Sequence, residues 1–251
     1  MIILGIESSS LVASVALVAD GAVLAEYTVN FKKTHSQTLL PMIDQMVQML
    51  ELDLGLVDAI AVSGGPGSFT GLRIGSATAK GLGLALDKPL IHVPTLDAMA
   101  YNLFGAASLL CPMMDARRNQ VYTGLYHYRR ELEVVKASCA MDVGQLVEEL
   151  NGRGEPVAFL GDGVAVYDSQ IRERIAVPFQ YAPAQSNRQR AASVAALGAV
   201  YFAGGKIEAA ASHVPNYLRK AQAERELEEA LRQGKTGELA AGHSLGPGGA
   251  W

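Results

Sequence analysis

Three strand-like segments open the chain and are followed by alternating helix-like and strand-like segments, an order that few folds accommodate. Asp20-Gly21, between the second and third segments, is typical of a hairpin turn, so these strands should pair as an antiparallel meander. Further along, apolar residues recur at helical spacing, and short continuous apolar runs fit buried parallel strands. This order predicts an α/β fold in which a mixed sheet carries helices on its faces. The predicted strands are 2–9, 11–18, 22–30, 57–63 and 89–93, and the predicted helices are 36–50, 70–86 and 95–104.

The second part of the chain repeats this layout. A shift of 108 positions places Glu7 on Asp115, Leu17 on Leu125 and Leu24 on Leu132, so an acidic residue ends the first strand of each meander. Identity between the halves is slight, but the order of elements is the same, which predicts a duplicated fold. The predicted elements here are strands 109–115, 120–128, 132–138, 157–161 and 177–181 and helices 143–150 and 188–204.

The duplication predicts two domains. Residues 1–105, joined by a returning helix within 188–220, form the first, and residues 106–187 form a smaller second domain. After about Lys220 the chain becomes charged and then rich in glycine, so we expect residues 221–251 to be a flexible tail.

Composition excludes several classes of protein. Hydrophobic residues make up 49% of the 251 residues, which is enough for a large core and excludes a wholly disordered chain. The net charge is −4, so no broad basic face is available to bind a nucleic-acid backbone without a partner. No apolar run approaches the roughly 20 residues of a membrane span, and no signal peptide is recognisable, so we expect a cytoplasmic protein with no membrane contact.

Local metal sites and a hydrolase site are disfavoured by spacing. The five histidines are at least 30 positions apart, so no two can share a helix face as metal ligands. His92 ends a buried strand and could reach a cleft, but a role in the core is favoured. Cys111 and Cys139 form no CxxC pair and are expected to be buried thiols. A GxSxG match at 242–246 has no acid or histidine after it, which excludes the hydrolase arrangement.

A glycine-rich segment at 63–75 lies between a predicted buried strand and a predicted helix. Free N–H groups and the helix dipole at such a junction favour an anion, so Gly65, Gly67 and Ser68 are candidate phosphate contacts. The segment lacks GxxxxGK[ST], and Thr70 stands where GxGxxG needs its third glycine. Helix capping and tight turning explain the same residues, and the pattern does not decide the role of Arg73.

Helices 36–50 and 70–86 carry more apolar surface than one core-facing side requires. Either the two helices bury each other, or they form a protein interface of about 800 Å² per partner. The candidate interface residues are Leu40, Met42, Val47 and Met49 on the first helix and Gly71, Gly75, Thr78 and Leu82 on the second.

Six motifs that occur in order along the chain resemble the bacterial TsaB family, also called YeaZ. They are ILGIESSS, THSQTLLPMI, SGGPGSFTGLRIG, VPTLDAMA, MDARRNQVY and PNYLR, and they extend from Met1 to about Arg219. The resemblance implies two actin-like (RNase H-like) domains of the actin-like ATPase superfamily. It also implies a role in making N6-threonylcarbamoyladenosine (t6A) beside the anticodon of tRNAs that read codons beginning with A.

The resemblance further implies that the chain has no catalytic residues and requires no cofactor, although weak ATP or ADP binding is allowed. TsaD-like catalytic relatives carry a metal-binding histidine pair after the strand equivalent to 89–93. Residues 93–100 here read VPTLDAMA and contain no such pair, so no metal is expected. The implied partners are TsaD in a heterodimer and TsaE in a ternary complex. The resemblance also implies that the chain forms a homodimer when it is alone and that it contacts tRNA only through the complex.

The alternative is an ATP-using phosphotransferase or ATPase on the same duplicated fold. Glu7 and Asp115 would then face each other across an interdomain cleft, and Gly161 and Gly163 would approach the nucleotide. Phosphate contacts would come from Ser8, Ser9, Ser10, Gly65, Gly67 and Ser68. For each residue an ordinary turn or a solvated strand end is an equally simple explanation.

Overall fold

Two five-stranded sheets form the frame of the protein in a computed structural model, which describes residues 1–32, 34–128 and 130–218. In the first sheet the spatial order is β3-β2-β1-β4-β5. The first three strands pair antiparallel, and β4 and β5 continue the sheet parallel to β1. The strands are β1 (Ile2–Glu7), β2 (Val12–Ala19), β3 (Ala22–Asn30), β4 (Ala59–Ser63) and β5 (Leu90–Val93).

The second sheet has the same topology. Its order is β10-β9-β6-β7-β8, with an antiparallel meander on one side of β6 and two parallel strands on the other. Glu7 and Asp115 therefore end the equivalent central strands of the two sheets. The predicted duplicated α/β fold is confirmed. The strands are β6 (Leu109–Asp115), β7 (Gln120–Tyr128), β8 (Leu132–Asp142), β9 (Val157–Leu160) and β10 (Phe179–Tyr181).

Six α-helices cover the sheets in the described part of the chain. One face of the first sheet packs on the first two helices, and the other face packs on the last. The third helix contributes to the cores of both sheets, and the fourth and fifth cover the second sheet. The helices are α1 (His35–Met49), α2 (Phe69–Leu86), α3 (Thr95–Tyr101), α4 (Val143–Arg153), α5 (Asp162–Arg174) and α6 (Ala191–Ala203), with short 3-10 turns at Leu54–Leu56 and Ala210–Ser212.

The last helix, α6, lies unusually close to the first sheet. A Cβ atom built at Gly5 of β1 would fall less than 3.0 Å from the carbonyl oxygen of Ala191, so glycine is what permits this approach. The start of α6 is fixed by Glu26 of β3, which accepts hydrogen bonds from the Arg190 guanidinium and from the Ala192 backbone N–H. The returning helix thus packs on the first sheet, while the predicted domain boundaries stay a prediction.

Several predicted elements differ from the observed ones in detail. Helix α5 was not predicted, because only Gly163, Tyr167 and Ile171 are buried along its 13 residues and its apolar stripe is narrow. β8 extends to Asp142, four residues beyond its predicted end. Among the described residues, no helix combines the length and apolar character that crossing a bilayer would require. The predicted tail, 221–251, lies outside the described residues.

Candidate functional site

The turn after β1 contains the first group of predicted phosphate contacts, and several of its polar groups are bonded within the chain. Glu7 is 1% exposed and accepts a hydrogen bond from the Ser9 backbone N–H at 2.6 Å. Burial raises the pKa of the Glu7 carboxyl, although hydrogen bonds from Ser9 and Ser63 act in the opposite direction. The Ser10 hydroxyl accepts from the Val12 N–H at 3.2 Å. These contacts show that the buried Glu7 carboxylate stabilises the turn that follows β1.

The glycine-rich loop lies directly on this turn. Ser68 donates its backbone N–H to the Ser9 carbonyl oxygen at 2.6 Å, and the Ser8 hydroxyl donates to the Gly71 carbonyl oxygen at 2.9 Å. The Ser68 hydroxyl caps α2 by accepting from the Gly71 N–H. Groups that the sequence offers to a phosphate are therefore bonded to one another.

Glycine is required here for close approach. A Cβ atom at Gly67 or Gly71 would lie well under 3.0 Å from the backbone carbonyl oxygens of Ser9 and Ser8, and one at Gly75 would meet the Ser8 hydroxyl. Gly65 likewise has a positive φ of 113° and faces the Asn216 carbonyl oxygen. Gly71 and Gly75, which were predicted to contact a partner, instead face the chain's own β1 turn.

In the second half, Asp115 is also engaged locally. Its carboxylate accepts from the Arg117 N–H at 2.8 Å and from the Tyr167 hydroxyl at 2.9 Å. Tyr167 belongs to α5, so the helix that the sequence did not indicate supplies a main partner of this acid. Like Glu7, Asp115 is bonded to residues of its own sheet and the helices that cover it.

The turn at 161–163 forms the start of α5. Gly161 has a φ of 111°, and a Cβ there would collide with the Met113 carbonyl oxygen, so Gly161 packs against the end of β6. Gly163 lies near the same oxygen. The Gly161 carbonyl accepts from Arg188 at 3.0 Å. The structure therefore brings Asp115 and the 161–163 turn together, as the nucleotide hypothesis required. The two are, however, in direct contact with each other.

Residues 93–100 have structural contacts. The Thr95 and Ser63 hydroxyls form a buried hydrogen bond of 2.8 Å. Asp97 accepts from the Tyr126 hydroxyl at 2.9 Å, and burial raises the pKa of both side chains. The segment thus joins α3 to both sheets.

On α1, the predicted surface residues divide into two groups. Met42 packs into the core with Leu39, Ile43 and Met46, because spacings of three and four residues place these side chains on one helix face. Met42 is therefore corrected from surface to core. Leu40 and Met49 are 51% and 75% exposed, and Val47 is half-buried.

On α2, the second half of the helix is the exposed part. Thr78 and Leu82 are half-buried, and Leu84 is 63% exposed. Gly81 has no atom within 4 Å of a built Cβ, so its outer side is open. Because α1 and α2 contact each other, we use the name α1–α2 surface for exposed and half-buried positions of the two helices, which flank the buried faces and do not form one stripe. They are Leu40, Val47, Met49, Thr78, Gly81, Leu82 and Leu84.

Two further residues gain contacts that the sequence did not specify. The Arg73 guanidinium lies 3.9 Å from the centre of the Phe69 ring, which in turn packs on Tyr217 at 4.9 Å. His35 contacts the Ser10 carbonyl oxygen through Nε2 at 2.8 Å and so ties the start of α1 to the β1 turn. Phe69 and Arg73 are four residues apart on α2, a spacing that helix geometry itself brings together. Only the tertiary structure shows the contacts of Phe69 with Tyr217 and of His35 with Ser10.

Comparison with known proteins identifies the family. The model of the family described as "TsaD: tRNA N6-adenosine threonylcarbamoyltransferase" matches residues 22–227. The tRNA threonylcarbamoyladenosine biosynthesis protein TsaB of Bacillus subtilis (strain 168) is 35% identical over 227 residues, covering 89% of this chain and 96% of that relative. The chain belongs to the TsaB family.

Other members of the TsaB family agree with this assignment. TsaB of Escherichia coli (strain K12) is 33% identical over 162 residues, which cover 61% of this chain and 68% of the relative. The structure of YeaZ from Pseudomonas aeruginosa has a TM-score of 0.74 and 27% identity, covering 86% of this chain and 99% of that one. The resemblance to TsaB and YeaZ is confirmed, and the chain is a member of a family named for t6A biosynthesis.

Proposed function

We propose that this chain is a non-catalytic scaffold that binds a TsaD-type transferase through the α1–α2 surface and so supports t6A formation. The TsaD subunit would transfer the threonylcarbamoyl group to the adenosine, TsaE would join the pair in a ternary complex, and tRNA would be contacted only through the assembly. Family membership supports the pathway, and the exposure of the α1–α2 surface is the observation that carries the scaffold role.

The most exposed apolar residues of this surface are not needed for the core, whereas Val47 and Leu82 pack partly against it. Leu40, Met49 and Leu84 are each more than half exposed, although α1 and α2 already bury a full set of core residues. Exposed methionine and leucine beside an open glycine suit the close packing of another helix. A homologous partner with similar helices, or a second copy of this chain in an isologous dimer, would cover the same residues.

Hydrogen bonding around the β1 turn favours a scaffold over an ATP-using enzyme. The N–H groups of Ser9, Ser68 and Gly71 are bonded to Glu7, the Ser9 carbonyl and the Ser68 hydroxyl. A phosphate at this position would have to displace these bonds. We therefore expect no required cofactor and at most weak nucleotide binding, which calorimetry with Mg-ATP tests; micromolar binding with turnover by the isolated chain would establish the enzyme alternative instead.

The decisive experiment for the interface is a Gly81→Glu substitution. The added side chain meets open space in the isolated chain, so the fold should be retained while a carboxylate is placed in the interface. We expect binding to purified TsaD to weaken at least tenfold in calorimetry, and t6A formation in the reconstituted system to fall accordingly. Gly75→Glu would be a poor test, because Gly75 packs on Ser8.

Gly152→Glu is the matched control. Gly152 is an exposed glycine near the end of α4, and it also has no atom within 4 Å of a built Cβ. This variant should bind TsaD like the parent. Equal affinity of the folded Gly81→Glu variant and the parent would refute the proposed surface.

A further inference from the structure

Three metal-ligating side chains meet beside β5, outside the segment 93–100. They are His92, Glu208 and His213, and one ligand atom from each lies within 4.8 Å of the other two. His92 is on β5, and Glu208 is held beside that strand by an antiparallel bridge to Leu90. The 3-10 turn Ala210–Ser212 then returns the chain so that the His213 ring lies 5.7 Å from the His92 ring, centre to centre.

His213 is the most informative member of this cluster. It is 1% exposed, and its Nδ1 lies 2.6 Å from the Glu208 Oε1. Its Nε2 is fully buried and has no hydrogen-bond partner among the described residues. A buried imidazole nitrogen is normally hydrogen-bonded or bound to a metal, because leaving it unpaired is unfavourable. The Nε2 atom is therefore available to a ligand such as a metal ion.

The bonded side of the same ring has the arrangement found in metal sites. A metal-binding histidine usually donates its other ring N–H to a carboxylate, which fixes the tautomer and leaves the lone pair on the metal-binding nitrogen. With the proton on Nδ1, His213 donates to Glu208 and presents the Nε2 lone pair.

We propose that a ring nitrogen of His92 and the Nε2 of His213 bind a divalent transition metal ion, for which Zn²⁺ is the appropriate probe, and that Glu208 orients the His213 ring through Nδ1. Imidazole ligands suit zinc and its neighbours, whereas magnesium and calcium prefer oxygen ligands alone. Zinc ligands lie about 2.0–2.1 Å from the ion, hence roughly 3.4 Å from one another in a tetrahedron. His92 is partly exposed, so its side chain has room to rotate into this geometry, and water would complete the coordination.

Metal binding here would fix the chain segment that follows α6 to the glycine-rich loop and to α2. The Gly64 backbone lies against the His92 ring so closely that no Cβ would fit between them. On the other side, the Lys80 ammonium of α2 donates to the carbonyl oxygens of Ala211 and His213. The ion would thus brace the side of α2 that lies next to the α1–α2 surface, which gives the site a structural role.

The test uses the full-length, untagged protein after treatment with a chelator. Zn²⁺ is added in competition with a chromophoric chelator, and thermal unfolding is followed with and without Zn²⁺. We expect one tightly bound ion per chain and a higher Tm when it is present. Co²⁺ in place of Zn²⁺ should give a tetrahedral d–d spectrum without thiolate charge transfer, because neither Cys111 nor Cys139 belongs to the cluster.

Variants separate this site from other metal contacts. His213→Gln should lower Zn²⁺ affinity at least 100-fold, and Glu208→Gln, at a partly exposed residue where folding is least at risk, should lower it about 10- to 100-fold. The matched control is His127→Gln, which removes a histidine that lies 3.0 Å from the Glu155 carboxylate elsewhere on the protein. The control should bind like the parent. Affinity that is unchanged in folded Glu208→Gln, or absent in the parent, would overturn the proposal.

Discussion

Replacing Gly71 by alanine tests how tightly the glycine-rich loop packs on the turn after β1. The new Cβ would lie well under 3.0 Å from the Ser8 carbonyl oxygen, which is backbone and cannot rotate away. Gly81→Ala is the comparison, because Gly81 is in the same helix and its Cβ would meet nothing within 4 Å.

The magnitude follows from three contributions. Alanine favours a helix over glycine by about 1 kcal/mol at both positions. Overlap at Gly71 costs about 1–3 kcal/mol. Separating the loop from the turn would also weaken the Ser8–Gly71 and Ser9–Ser68 hydrogen bonds, at about 0.5–1 kcal/mol each. The free energy of unfolding should therefore be about 2–5 kcal/mol lower for Gly71→Ala than for Gly81→Ala.

Thermal and urea unfolding of both variants, at one protein concentration, measure this difference. At about 2–4 °C per kcal/mol for a chain of this size, the Tm of Gly71→Ala should be roughly 4–20 °C below that of Gly81→Ala. Gly81→Ala itself should be about 1 kcal/mol more stable than the parent. Equal stability of the two variants would show that the loop does not pack on the turn as described.

Two further predictions concern stability. Burial raises the pKa of Glu7 above its ordinary value of 4.5, so this residue's contribution to stability is present below that value and is lost as pH rises through the folded pKa. The stability of Glu7→Gln relative to the parent should therefore increase as pH rises over that interval. Urea unfolding at several pH values measures the difference in unfolding free energy between the two proteins, and a difference that stays constant with pH would contradict this. Asp142 caps α4 by accepting hydrogen bonds from the N–H groups of Gly144 and Gln145. Asp142→Ala should therefore lower the free energy of unfolding by about 1 kcal/mol in the same assay, and an unchanged free energy would argue against the cap.

The strands of both sheets could be predicted from the sequence, because both meanders and the buried parallel strands have clear apolar patterns. The sequence was insufficient for α5, where polar residues cover all but a few buried positions and only the contact of Tyr167 with Asp115 shows why the helix is held. Met42 was predicted to lie on the surface, although its spacing from Leu39, Ile43 and Met46 on α1 also fits the core-facing side. In the structure Met42 belongs to the buried face.

The predicted site residues show a similar limit. The glycine-rich and serine-rich segments lie between strands and helices, as predicted. Only the three-dimensional structure shows that Gly71 packs on Ser8 and that the Ser68 N–H donates to the Ser9 carbonyl oxygen. The cluster of His92 with His213 could not be found by local spacing, since 121 positions separate the two residues (213 minus 92). Long-range contacts of this kind are set by the topology of the sheet and not by a motif.

The central claim is that this chain supports a catalytic relative without reacting itself. Purified TsaD, TsaE and the enzyme that forms the threonylcarbamoyl adenylate would be supplied with tRNA, with and without this chain, and t6A counted by mass spectrometry of digested tRNA. We predict t6A only when TsaD and this chain are both present, and none from this chain in place of TsaD. Full t6A formation without this chain, or transfer by this chain without TsaD, would contradict the claim.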